Sequence, residues 1–219
     1  MRKIDTINER STKEISPVVI LAAIYAGLVA LLSFAAFAGN ILNIPLQQFT
    51  ADPAVTFSAH PFVGMISYTG VLLWCSSAVV CLFSAAFLNA GRSEQNISFL
   101  LCSGLISLFL LSDDLFMLHE AIFPWYLDIP QKLVYVIYLV LMSSYFLYFR
   151  KRIWNSEYKI LGIAIAFLAL SVLGDFMLPQ EGMAYVVEDG LKVFGIATWF
   201  IYFTRVSFKE VTDKLKYNI

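Results

Sequence analysis

Pro17-Val18-Val19-Ile20-Leu21-Ala22-Ala23-Ile24-Tyr25-Ala26-Gly27-Leu28-Val29-Ala30-Leu31-Leu32-Ser33-Phe34-Ala35-Ala36-Phe37-Ala38 runs for 22 residues without one charged side chain. Wound as a helix, such a run is about as long as the ~30 Å hydrocarbon core of a bilayer is thick. Five further runs have the same character: Phe62 to Ala90, Ile97 to about Ile122, Leu133 to Tyr148 with its flanks, Lys159 to Leu178, and Met183 to about Val206. The fold these runs predict is all-α, a polytopic membrane protein built as a six-transmembrane-helix bundle.

Composition agrees. Of 219 residues, 59% are hydrophobic and 14% charged, and the mean hydropathy is +0.75. A soluble domain carries roughly 25% charged residues and cannot hide this much apolar surface. A net charge of -1 leaves no basic surplus for nucleic acid. The partners expected are membrane lipids. Cys75, Cys81 and Cys102 all fall in apolar runs without a CxxC spacing, so they read as buried thiols that pack like small hydrophobes.

Lysine and arginine set the orientation. They occur at 2, 3, 10 and 13, at 92, at 150, 151, 152 and 159, and at 205, 209, 214 and 216, always on one side of the alternation. The other side has only Lys132, and Lys192 lies inside the last run. Thirteen against one predicts both termini in the cytoplasm, and the membrane is read as a bacterial-type inner membrane. The expected parts are a cytoplasmic tail over 1–16, a transmembrane domain over 17–206 and a second cytoplasmic tail over 207–219. Ala36-Phe37-Ala38 has the form of a signal-peptidase site, but the apolar stretch exceeds the roughly 7–15 residues of a signal peptide. The first helix is therefore read as uncleaved. The loop 39–61, with three prolines, is read as an irregular cap or a short interfacial segment.

The chemistry concentrates in Leu111-Ser112-Asp113-Asp114-Leu115-Phe116-Met117-Leu118-His119-Glu120. On an ideal helix Asp113 and Glu120 lie about 20° apart, while Asp114 and His119 diverge to opposite sides. A helix end or kink near Pro124 would let His119 join them. In the last run, Glu188 and Lys192 are four apart, in the favourable order for an ion pair. Gly190 and Gly195 permit close helix approach. Asp175 and Glu181 flank the preceding loop, and His60 opens the second run at the same expected face. Charges in a bilayer cost about 2.5–3.5 kcal/mol each on insertion scales, so they face the interior and have partners. Six acids (Asp113, Asp114, Asp175, Glu188 and Asp189, with Glu120 at the boundary) have Lys192 as their one permanent cation and need water, protons or a bound cation.

The two motifs, Asp113-Asp114-x4-His119-Glu120 and Glu188-Asp189-Gly190-Leu191, resemble those of a loose set of small bacterial multi-pass membrane proteins without an assigned activity. In that set an Asp-Glu-x4-His-Glu helix and a later Glu-Glu-Gly-Leu helix recur. Asp114 stands where Glu is usual and Lys192 where an acid is common. The resemblance implies one shared site and supplies no reaction.

Function is therefore an expectation from residue types. The leading one is a metal-dependent membrane enzyme, a hydrolase on a lipid-like substrate, with its site near the extracytoplasmic face. Asp113, Glu120 and Glu188 are candidate catalytic groups. His119, Asp113, Asp114 and Asp189 are candidate ligands to a divalent metal ion, and Asp175, Lys192 and His60 complete the polar site. The alternatives are a proton- or cation-coupled transporter using the same residues, and a non-catalytic accessory protein. The small-residue face Ala22, Ala23, Gly27, Ala30 would serve partner helices or a homo-oligomer.

Overall fold

The computed structural model describes residues 16–88, 94–177 and 182–217. Arg2, Lys3, Arg10, Lys13, Arg92 and Glu181 lie outside the described residues. All regular structure among the described residues is helical, with no strand. The chain divides into two compact units, one ending at Val63 and one beginning at Gly64.

In the first unit, helix α1 spans Pro17–Leu42. The Ser16 hydroxyl accepts the Val18 N–H and Pro17 occupies the first turn, a standard helix start. Asn43, in the left-handed region at φ 54°, ends it. The proline-rich loop holds two single-turn helices, α2 (Gln47–Thr50) and α3 (Pro53–Thr56). The Asp52 carboxylate caps α3 by accepting the Ala54 N–H at 2.8 Å.

The second unit contains α4 (Met65–Leu88), α5 (Glu94–Phe116), a π-helical turn (Leu118–Ile122), α6 (Phe123–Tyr126), α7 (Gln131–Tyr148), α8 (Arg150–Trp154), α9 (Tyr158–Met177) and α10 (Met183–Tyr217). Helix α10 packs against both α4 and α9, and α4 packs against α5. Helix α7 joins α5 through Tyr145 on Phe99 and Tyr138 on Phe109, and joins α9 through Tyr135 on Phe176. These contacts close a five-helix ring. Its core includes Trp74, Cys81 and Leu88 of α4, Phe99 and Leu100 of α5, and Ile196, Trp199, Tyr202 and Phe203 of α10.

Among the described residues, five helices are long and apolar enough to cross a membrane: α1, α4, α5, α7 and α9. That set is consistent with a multi-pass membrane protein. Helix α10 is the longest at 35 residues but falls outside it, because its charges dilute its hydropathy. It also runs straight through the stretch expected to be a tail. The physical reason is that this extension has partners: Glu210 is buried against Arg152 and Asn96, and Lys214 donates to the Phe87 carbonyl at 2.6 Å.

The two glycines of α10 behave differently. A Cβ on Gly195 would lie 2.7 Å from the Leu168 side chain and 3.0 Å from the Leu168 backbone nitrogen, so this glycine sets the α9–α10 approach. A Cβ on Gly190 would meet nothing within 4 Å. Gly195→Ala is expected to lower stability by about 1–3 kcal/mol through overpacking. Gly190→Ala is expected to be neutral or to add up to about 1 kcal/mol from helix propensity. Thermal unfolding of the detergent-solubilised protein, followed by circular dichroism, separates the two. Equal melting temperatures would contradict the close crossing.

Candidate functional site

The acidic motif does not continue as one ideal helix. Helix α5 ends at Phe116, and Met117 turns into the left-handed region at φ 50°, ψ 47°. Such a conformation costs a non-glycine residue roughly 1–2 kcal/mol. The chain then enters the π-turn, where the Ala121 and Ile122 amides both donate to the Met117 carbonyl. The break comes at Met117, seven residues before the proline at which a kink was expected. It brings His119, rather than Glu120, back onto Asp113.

What holds the break is the Asp113 carboxylate. Its Oδ1 accepts the His119 backbone N–H at 3.0 Å and the Tyr138 hydroxyl at 2.8 Å. Its Oδ2 accepts from His119 Nδ1 at 2.7 Å. A carboxylate is acceptor-only, so Nδ1 carries the proton. Asp113 and His119 are both buried. The His119 ring lies against Tyr135 and Tyr138, and its Nε2 is 3.4 Å from Glu120 Oε1. Glu120 itself is half-exposed.

Asp114 faces the other way. Its Oδ2 accepts the Trp74 indole N–H at 2.9 Å, and its Oδ1 pairs with Lys192 Nζ at 2.7 Å. Lys192 therefore crosses the ring to α5 instead of pairing along α10 with Glu188. The favourable spacing of Glu188 and Lys192 is overridden because Asp114 is the more buried carboxylate and has more to lose by standing unpaired. Glu188 makes no hydrogen bond or ion pair among the described residues. Asp189 lines a small cleft with Ser67, Gly70, Asp114 and Lys192. Asp175 accepts the Tyr135 hydroxyl at 3.0 Å. His60 belongs to the other compact unit, where its Nδ1 accepts the Phe62 N–H at 3.3 Å.

The expected residues thus separate into an Asp113–His119–Glu120 chain and an Asp114–Lys192 pair beside Asp189. Among the described residues, no group of three or more histidine, cysteine, aspartate or glutamate side chains is arranged to hold a metal ion. At the outer edge, His119 Nε2 and Glu120 are two neighbouring donors, and a divalent ion there would have to displace the proton between them.

Tyr135, Tyr138 and Trp74 escape a reading that looks only for ionisable groups. Their signal is the stripe Gln131, Tyr135, Tyr138, Tyr145, which repeats on one face of α7 and puts polar tips on an apolar span. Beyond the end of the α5 span, burial by itself lowers the His119 pKa. The hydrogen bonds to Asp113 and Glu120, with their charges, more than offset it and raise the imidazole from its ordinary 6.5 to about 9. Glu120 is correspondingly held below the usual carboxylate range, first by its hydrogen bond with His119 and against the opposing effect of burial.

Because the folded-state pKa of His119 lies above its unfolded value, its contribution to stability is full below about pH 6.5. It disappears as pH rises through about 9. Melting temperature measured from pH 6 to 10 is expected to fall across that window, by an amount equivalent to at most about 3 kcal/mol. Asp113→Asn is expected to flatten the profile and lower the plateau. A flat wild-type profile would show that the imidazolium is not held between the two carboxylates.

Residues 19–206 match the model of a family described as a domain of unknown function, DUF8692, and the chain belongs to that family. No curated protein and no solved structure matches it.

Proposed function

We propose, on the residues alone since the family carries no assigned function, that this chain is a membrane-embedded acid–base enzyme, a hydrolase acting on a lipid-like substrate. The observation that carries the reading is the His119 ring, buried and clamped at Nδ1 by Asp113, with Nε2 turned to half-exposed Glu120. A structural ion pair needs no third, exposed carboxylate on the second ring nitrogen. An acid–base pair does.

In this reading the membrane arrangement is six spans, α10 being the sixth, with both termini in the cytoplasm of a bacterial-type inner membrane. The site then opens near the extracytoplasmic face, at the level where the polar bonds of lipids lie. Glu120 accepts a proton from water as the water oxygen attacks an acyl carbon. His119 gives its Nε2 proton to the departing alkoxide as the carbon–oxygen bond breaks. The proton on Glu120 returns through the pair, restoring both groups. Asp113 keeps the imidazole charged and aligned, Tyr138 holds Asp113, and the cation Lys192 beside Asp189 orients an anionic part of the substrate.

The packing beneath the site supports a one-sided enzyme over a carrier. Trp74 and Trp199 meet edge to face at 5.7 Å below the carboxylates, and Tyr202, Phe203, Phe99 and Phe149 fill the next layers. The Trp199 indole there donates to Ser107 at 3.1 Å and accepts nothing, and Ser103 bonds the Tyr145 hydroxyl at 2.6 Å. A carrier must open its site to both sides, and Trp199, Tyr202, Phe203 and Phe99 in this layer are fully buried.

Hydrolysis of a panel of lipid esters in mixed micelles tests the reading. His119→Ala and Glu120→Gln are each expected to lower kcat by about 100-fold or more. The wild-type rate is expected to fall as pH rises through about 9, where His119 loses its proton, and Asp113→Asn should move that limb to lower pH. Elemental analysis of the chelator-washed protein runs alongside. A near-stoichiometric metal, lost with activity in His119→Ala, would replace this mechanism by a metal-dependent one. Inactivity of the wild type on every ester class would sink the hydrolase.

A further inference from the structure

At the end of α7 remote from His119, three cations stand in a row: Arg150, Lys151 and Arg152. Their surroundings differ sharply. Arg152 turns inward, where its guanidinium pairs with Glu210 at 2.5 Å and lies 5.7 Å over the Phe99 ring. Arg150 and Lys151 turn outward, are exposed, and have no ion-pair partner among the described residues.

The turn that splays them is built by Phe149. This residue is buried against Phe99 and Tyr145, so the chain pivots there from α7 into α8. The pivot leaves an open surface recess lined by Arg150, Lys151, Trp154 and Asn155. Trp154 is 71% exposed, yet its ring is stacked on Tyr158 at 4.7 Å and 7°. An indole left in the open but held flat forms a rigid wall. Just before the recess, α7 presents exposed apolar side chains at Val136, Leu139, Val140 and Leu147.

We infer that this recess is a binding site for the phosphate of an anionic membrane lipid. Arg150 and Lys151 hold the phosphate oxygens, Asn155 supplies a further polar contact, and Trp154 packs against the glycerol backbone. The acyl chains lie along the exposed face of α7. Guanidinium and ammonium are the groups that recognise phosphate. Unpaired cations beside an interfacial tryptophan are the side chains that attract anionic lipid at a membrane surface. The apolar track of α7 favours a lipid over free phosphate, because a free anion makes no use of it. The inference stands independently of the acid–base reading.

Native mass spectrometry of the detergent-solubilised full chain, titrated with phosphatidylglycerol and with phosphatidylcholine of the same acyl chains, tests it. The wild type is expected to prefer phosphatidylglycerol. The double substitution Arg150→Gln, Lys151→Gln should weaken that binding about 30-fold, two charges at the membrane surface each carrying about 1 kcal/mol. Trp154→Ala should weaken it less. Lys209→Gln, Lys216→Gln removes two exposed cations of α10 and should leave it nearly unchanged. Inorganic phosphate at the same concentrations should not compete. Melting temperatures of the variants check that each is folded. No preference between the two lipids, an equal loss in both double variants, or full competition by inorganic phosphate would each overturn the inference.

Discussion

Asp113 and Asp114 are consecutive acids in the last turn of an apolar helix, and each must find its own cation. Neighbours in a helix diverge by about 100°, so one partner cannot serve both. Asp113 draws His119 back from beyond the helix end, and Asp114 draws Lys192 across from α10. A buried carboxylate without such a partner would cost several kcal/mol. Much of this end of the second unit follows from that requirement.

The break at Met117 is the first consequence. A continuous helix would carry His119 round to a different side from Asp113. The left-handed residue and the π-turn shorten that path, and the strain is offset by three hydrogen bonds onto one carboxylate. The second consequence is the ring of helices. Tyr138 reaches Asp113 from α7, Trp74 reaches Asp114 from α4, and Tyr135 ties α7 to Asp175 of α9. The polar contacts of the site are thus also the contacts by which helices with little else to choose between them find their neighbours. Interhelical hydrogen bonds have this role where surrounding lipid tails are as apolar as the side chains.

The opposite end of the unit repeats the arrangement with other residues. Glu210 is buried and takes Arg152 from α8 and Asn96 from α5. It lies in a stretch whose sequence reads as a charged tail, and the pairing converts that stretch into the last turns of α10. Between the two ends lies a layer of buried aromatic side chains that includes Phe99, Trp199, Tyr202 and Phe203.

Periodicity and composition were enough to read the helical class, the long apolar helices and the clustering of ionisable groups at Asp113, Asp114, His119 and Glu120. These properties are local: a run of apolar residues is long or short whatever surrounds it, and an acid among them is conspicuous. Partner choice was not legible. Glu188 and Lys192 have ideal spacing for a pair on one helix, yet Lys192 goes to Asp114, because burial decides which carboxylate most needs a cation and burial is a property of the assembled helices. The position of the break had no sequence marker either, since Met117 is neither glycine nor proline. Tyr135, Tyr138 and Trp74 look like ordinary membrane aromatics until the fold sets their polar tips against carboxylates. The sequence by itself determined which groups had to be neutralised, and only the tertiary structure decided by what, because the cations and hydroxyls that do so come from helices distant along the chain.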